Sequence, residues 1–213
     1  SFSGASETAS AVTADKAMEL LMEGNKSYVA GNLEHLSQMS AAKTRTELAT
    51  GQHPYAIIVA CSDSRVPPEI LFDKGLGEIF VIRVAGNVVA PHELGSIEYA
   101  AEHLGSKLVM VLGHERCGAV TAAVDAHGGH EGNIGSIVKS IAPAVEKARK
   151  KSPTASHTDL VESSVTENVK TVAQTIAQQS PVMKKLAAEG KVKIVGAKYD
   201  LDEGMVQMIN VQE

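Results

Sequence analysis

The sequence has few aromatic residues, few cysteines and no long apolar run, and each shortage excludes a class of protein. Aromatic residues make up 3% of the 213 residues and tryptophan is absent, which disfavours a single-strand nucleic-acid binder that stacks bases on rings. The longest apolar runs, 55–60 and 108–112, are far shorter than the roughly 20 residues of a membrane-spanning helix. Two cysteines are too few for a disulfide framework, although they suffice for one bridge or for a metal.

Basic residues are fewer than acidic ones. The chain carries 20 Lys and Arg against 25 Asp and Glu, a formal net charge of −5, which argues against nucleic acid as a partner. Hydrophobic residues make up 44% and charged residues 21%, as in folded globular domains. The length suits one domain. We therefore expect a single domain over 1–213, with an N-terminal arm and helices in 1–50 and an α/β core in 51–213.

Apolar runs alternate with helical patterns along most of the chain. The runs 55–61, 78–83 and 107–113 are each followed by turn residues and a helical pattern, which is typical of buried parallel strands. A further strand is predicted at 191–198, and 205–211 is predicted to be an antiparallel edge strand. The expected fold class is thus α/β, with a mostly parallel sheet of about four parallel strands plus the antiparallel edge strand, flanked by helices.

The N-terminal residues are predicted to be helical. Thr13 can cap a helix whose apolar residues recur at helical spacing as far as Tyr28, and Gly31 closes it. A second helix is predicted from Ser40 to Thr50, and it would end at Gly51 in a left-handed conformation. The arm packs either on its own chain or on a partner subunit, and the sequence favours neither.

Three metal-binding side chains follow the ends of predicted strands. Cys61 ends the first strand, and His114 and Cys117 follow the third, so all three can converge at one edge of the sheet. Two thiolates and an imidazole form a soft tetrahedral donor set that suits zinc and leaves a fourth position open. We therefore expect one Zn²⁺ per chain. Ordinary buried cysteines and a redox pair are the alternatives.

An acidic and a basic residue stand close to the first cysteine, in Cys61-Ser62-Asp63-Ser64-Arg65. Asp63 could be a fourth zinc ligand that closes the site, or it could pair with Arg65 and leave the metal open to water. The nearby arginine favours the pair.

The motifs Cys61-Ser-Asp-Ser-Arg65 and Gly113-His-Glu-Arg-Cys-Gly118 together resemble those of the β-class carbonic anhydrases, and the similarity extends from about Lys16 to the end of the chain. The resemblance implies zinc held by Cys61, His114 and Cys117, with Asp63 and Arg65 as the catalytic dyad beside it. It also implies homodimers that often pair into tetramers, with the helical arm wrapped around a second subunit.

The activity implied by the resemblance is the reversible hydration of carbon dioxide to bicarbonate and a proton, by a zinc-bound hydroxide that the dyad orients. The implied substrate-binding residues are Gln52, Phe80, Tyr99 and Gly118. Gln52 matches the plant-like variant, in which an amide contacts the substrate. No tryptophan shortly precedes Cys61, unlike the variant that has a noncatalytic bicarbonate site. The pair Glu115-Arg116 departs from the small residues that are common there.

Three other functions stay open at this point. A carbon disulfide or carbonyl sulfide hydrolase would use the same scaffold, although Gln52 favours carbon dioxide. A noncatalytic zinc or bicarbonate sensor is disfavoured by the intact Asp63 and Arg65, and a thiol redox protein would bridge Cys61 to Cys117. The segment His127-Gly-Gly-His130 is more simply a solvated loop than a second metal site. The compartment is open between the cytoplasm and the periplasm, the latter after removal of an N-terminal signal.

Overall fold

A mixed five-stranded sheet forms the centre of the chain in a computed structural model, which describes residues 10–126 and 132–212. The strands run in the spatial order β2-β1-β3-β4-β5. The first four are parallel, and β5 is antiparallel to β4. The predicted fold class is confirmed. The strand bounds are β1 Ala56–Ala60, β2 Ile79–Arg83, β3 Leu108–His114, β4 Lys193–Tyr199 and β5 Val206–Ile209.

Helices cover both faces of this sheet. Every residue of β1 and β3 is buried, because the alternate side chains of a central strand enter two separate cores. Ile58 and Met110 lie in one core, and Ile57 and Val109 lie in the other. The helices are α1 Ala14–Val29, α2 Glu34–Met39, α3 Ala42–Glu47, α4 Pro68–Leu71, α5 Pro91–Glu102, α6 Gly118–Asp125, α7 Ile134–Lys151, α8 His157–Gln179 and α9 Pro181–Ala188.

The first predicted helix is confirmed, whereas the second differs from the expectation. The Thr13 side chain caps α1 by accepting from the Lys16 N–H, and Gly31 follows with φ 73°. The predicted helix 40–50 is α3 continued by a short 3-10 turn, Leu48–Thr50. Gly51 has φ 173°, so its predicted left-handed conformation is wrong. Its N–H already closes the 3-10 turn on the Leu48 carbonyl, and the chain continues in extended form towards β1.

Helix α8 packs closely against the sheet at two glycines, one in β3 and one in β4. A Cβ atom on Gly113 would lie 2.6 Å from Cγ2 of Val169, and one on Gly196 would lie 2.7 Å from Cγ1 of the same valine. The two glycines therefore allow α8 to pack directly against β3 and β4, next to His114. None of the helices in 10–126 and 132–212 is long and apolar enough to cross a membrane. The segment His127-Gly-Gly-His130 lies outside these ranges.

Candidate metal centre

Cys61, His114 and Cys117 come together at the carboxyl edge of the sheet. Cys61 directly follows β1, His114 is the last residue of β3, and Cys117 immediately precedes α6. Because β1 and β3 are neighbouring parallel strands, their ends meet at the same edge. All three side chains are buried, and their Sγ and ring nitrogen atoms lie within 4.8 Å of one another. They therefore form a possible metal site, as the sequence predicted.

The imidazole of His114 is oriented for metal binding by its own neighbour. Its Nδ1 lies 2.8 Å from the Glu115 carbonyl oxygen, which only accepts hydrogen bonds, so Nδ1 carries the proton and donates. Nε2 is then left with a lone pair. This atom is buried and has no hydrogen-bond partner within the described residues. Such an arrangement fits a metal ligand, because a second hydrogen bond of this kind fixes the tautomer and ring orientation of metal-binding histidines.

The two thiols have unequal surroundings. A hydrogen bond from Cys117 lowers the pKa of Cys61 despite its burial, and the Gly86 N–H lowers it further. The Gly86 nitrogen lies 3.2 Å from Cys61 Sγ. The same thiol pair, together with burial, raises the pKa of Cys117. Both cysteines are free thiols. A divalent cation would favour the thiolate form of both.

Asp63 and Arg65 form a bidentate ion pair at the mouth of the cluster. The Arg65 side chain donates from Nε to Asp63 Oδ1 at 3.0 Å and from Nη2 to Oδ2 at 2.7 Å, and its backbone N–H donates to Oδ1 at 2.9 Å. These bonds hold the pKa of Asp63 well below its usual range. Asp63 Oδ2 lies 3.9 Å from His114 Nε2. The carboxylate is thus ionised and next to the donor cluster, and each of its oxygens accepts a hydrogen bond from Arg65.

A second arginine, Arg83 at the end of β2, fixes the loop that carries Cys61 and Asp63. Its Nε donates to the Cys61 carbonyl at 2.8 Å and its Nη2 donates to the Asp63 carbonyl at 2.6 Å. No motif in the sequence indicates this role for Arg83. The only signal was its place at the end of the apolar run 78–83.

The unusual pair Glu115-Arg116 is held by α8 and by the chain after β4. Arg116 has φ 50°, a strained conformation for a residue with a side chain. Its N–H donates at 2.8 Å to Glu162 of α8, whose other oxygen accepts from Lys198 at 2.7 Å. The Arg116 guanidinium pairs with Asp202 at 2.8 Å. These contacts fix the turn between His114 and Cys117, and no pattern in the sequence indicates Glu162.

The predicted substrate-binding residues are brought together only in part. The rings of Phe80 on β2 and Tyr99 on α5 lie 6.4 Å apart between centroids, and Tyr99 is 41% exposed. Gln52 is exposed in the segment before β1. Gly118 begins α6 directly after Cys117. Of these four residues, only Gly118 adjoins a member of the donor cluster along the chain, and the substrate role of all four stays a prediction.

Comparison with known proteins agrees with this geometry. Residues 56–206 match the family model described as carbonic anhydrase. Carbonic anhydrase 2 of Mycobacterium tuberculosis strain H37Rv is 42% identical over 191 residues, 88% of this chain and 89% of the relative. The carbonic anhydrase of Mycolicibacterium smegmatis is 40% identical over 195 residues, 90% of this chain and 91% of the relative.

Solved structures show the same fold. The β-carbonic anhydrase CafA of Aspergillus fumigatus superposes with a TM-score of 0.75 at 26% identity, covering 92% of each chain. The Coccomyxa β-carbonic anhydrase in complex with acetazolamide gives 0.73 at 28% identity, covering 88% of this chain and 84% of the other. The sheet and the buried sulfur and nitrogen donors define an α/β enzyme with a candidate metal centre. The chain belongs to the carbonic anhydrase family, within its β class.

Proposed function

We propose that this carbonic anhydrase holds one Zn²⁺ on Cys61, His114 and Cys117 and catalyses the reversible hydration of carbon dioxide to bicarbonate and a proton. The observation that carries the proposal is the unpartnered, buried Nε2 of His114 beside two thiols. Two soft sulfur donors and an imidazole suit zinc, and three protein ligands are the number found in catalytic zinc sites.

Asp63 and Arg65 supply the orientation that the reaction needs. When bound, zinc supplies the Lewis acidity that makes water nucleophilic near neutral pH. Arg65 keeps Asp63 ionised, so the carboxylate can only accept hydrogen bonds. Its Oδ2, 3.9 Å from His114 Nε2, retains a free lone pair after binding Arg65. Asp63 would accept a hydrogen bond from the nucleophile at this oxygen, which would orient a lone pair of the nucleophile towards the carbon of carbon dioxide.

We propose that the four remaining predicted residues contribute to the substrate pocket. Phe80 and Tyr99 pack together and present an apolar wall, which suits a small apolar substrate. The Gln52 amide and the backbone N–H of Gly118 can donate to a substrate oxygen as negative charge develops.

The oligomer that we propose is a homodimer, with a tetramer as its further assembly. Strand β2 is at the edge of the sheet in the described residues, and its apolar side chains are only half-buried. An unpaired apolar edge strand is a template for association, and a second copy of this chain would cover it. Analytical ultracentrifugation that finds only monomer at micromolar concentration would overturn this assignment.

Stopped-flow carbon dioxide hydration tests the catalytic proposal, with zinc content measured on the same sample. We expect about one zinc per chain and rapid hydration. Asp63→Asn should keep the zinc and lose activity by about 10–100-fold, the usual cost of removing a partner next to a metal ligand. Asp15→Asn is the matched control, because Asp15 is an exposed carboxylate paired with Lys193 at the start of β4, and it should keep full activity. Stoichiometric zinc without hydration between neutral and alkaline pH would overturn the proposal.

A further inference from the structure

Helix α8 reaches the donor cluster through the loop that follows β2. The Gly86 N–H donates to Cys61 Sγ at 3.2 Å. The Gly86 carbonyl in turn accepts from Nδ2 of Asn168, a residue of α8, at 2.8 Å. Asn168 is 1% exposed and stands 82 positions further along the chain. A chain of two hydrogen bonds therefore joins a buried side chain of α8 to a sulfur of the candidate metal centre.

Gly86 has the backbone flexibility of glycine, so a contact that holds its carbonyl also helps to orient its N–H. It has φ 70° and ψ 17°, in the left-handed region that favours glycine, and glycine has the most flexible backbone. A Cβ atom there would lie 2.7 Å from Cδ1 of Ile141 and 3.2 Å from Cβ of Ala119, so a stiffer residue does not fit. Asn168 holds the Gly86 peptide by a directional hydrogen bond to its carbonyl.

The hydrogen bond to Gly86 sets the orientation of the Asn168 amide and leaves its oxygen without a partner in the described chain. A carbonyl oxygen only accepts, so the NH₂ group must face Gly86. Oδ1 is then buried without a hydrogen-bond partner in 10–126 and 132–212. An unpaired buried acceptor destabilises a fold. Stability alone therefore does not account for an asparagine at this position, whereas a contact with the metal-binding loop does.

We propose that Asn168 is a positioning residue of the metal centre, which holds Gly86 so that its N–H donates to the Cys61 thiolate. This inference rests on the proposed zinc enzyme. A hydrogen bond to a thiolate withdraws electron density from sulfur, which makes it a weaker donor and leaves the metal a stronger Lewis acid. Such a bond matters in a site with two thiolates, because together they cancel the formal charge of a divalent metal.

Asn168→Leu removes the donor and keeps a side chain of similar size. We expect zinc loss to a chelator to become about tenfold faster or more. In the cobalt-substituted protein, the sulfur-to-cobalt charge-transfer band should move to longer wavelength, because the sulfur lone pairs rise in energy without the N–H donor. Hydrogen–deuterium exchange at the Gly86 amide should also become faster. Ser164→Ala is the matched control, since Ser164 lies one turn earlier on α8, is fully buried and has no hydrogen-bond partner in the described chain.

The position of the sulfur-to-cobalt band distinguishes a role of Asn168 in positioning Gly86 from a general effect on packing. Asn168→Leu with an unchanged band and unchanged Gly86 exchange would overturn the inference, as would equal shifts in Ser164→Ala. If Asn168→Leu does not fold, Asn168→Ala is measured in the same way and decides by the same criteria. The proposed function fails separately: wild-type protein that binds cobalt and zinc but does not hydrate carbon dioxide refutes the activity, while a band shift in the variant still supports the role of Asn168.

Discussion

Gly113→Ala tests whether the close packing of α8 on β3 supports the metal centre. Gly113 immediately precedes His114, and the added methyl group would lie 2.6 Å from Cγ2 and 3.2 Å from Cγ1 of Val169 and Val165, respectively. Ordinary contacts of this kind are 3.4–4 Å. The helix must therefore move away by about 1 Å at this point, since close-packed interiors yield little space.

The expected cost of this change is that of overpacking a well-filled core, about 1–3 kcal/mol. For a chain of this length it corresponds to a fall in Tm of about 2–12 °C. Calorimetry or thermal denaturation followed by circular dichroism measures the change, at matched protein and zinc concentrations, because ligand binding and association shift the apparent Tm. We also expect faster zinc loss, since α8 holds the turn after His114 through Glu162.

The double variant Gly113→Ala/Val169→Ala is the control, because it removes the Cγ2 atom that the new methyl group would meet. Its Tm should fall by less than the sum of the two single changes, since contacting residues couple by about 0.5–3 kcal/mol. Gly113→Ala with a Tm within about 1 °C of wild type, less than the smallest shift expected for a 1 kcal/mol change, would refute the packing argument. Strict additivity in the double variant would refute it as well.

Three further predictions concern the centre itself. Arg65→Gln replaces the guanidinium that depresses the pKa of Asp63 with a neutral side chain, so the pKa of this carboxylate should rise. On acidification, hydration should then be lost at a higher pH than in wild type; a pH profile identical to wild type would contradict this. Glu162→Ala leaves the strained Arg116 N–H without its acceptor, so zinc should be lost faster to a chelator, whereas the exposed Glu146→Ala of α7 should retain it; equal loss rates would argue against this role. Zinc removal should lower the Tm and readdition should restore it, because a ligand that binds only the folded state stabilises it; an unchanged Tm would mean that these residues do not hold the metal.

The sequence by itself determined the strands and the donor cluster. The runs that became β1 and β3 consist of apolar residues, because both faces of a central parallel strand are buried. Once these strands are recognised as parallel, Cys61 and His114 can meet, since parallel strands of one sheet end at the same edge. That β1 and β3 are neighbours was decided by the tertiary structure. The Asp63–Arg65 pair was predictable for a similar reason, because two residues of separation already bring opposite charges together. The single-domain organisation stays a prediction.

Only the tertiary structure decided how this centre is supported. Arg83, Glu162 and Asn168 hydrogen-bond to the loops of the candidate metal centre from 20 to 82 positions away along the chain, and no local pattern distinguishes them from ordinary strand or helix residues. The extended conformation of Gly51 was not predicted, because it depends on the 3-10 turn that the Gly51 N–H closes on Leu48. Hydrophobic periodicity specifies which face of an element is buried, but the partner of each buried polar group depends on how close two elements approach. Here Gly113 and Gly196 set that approach for α8.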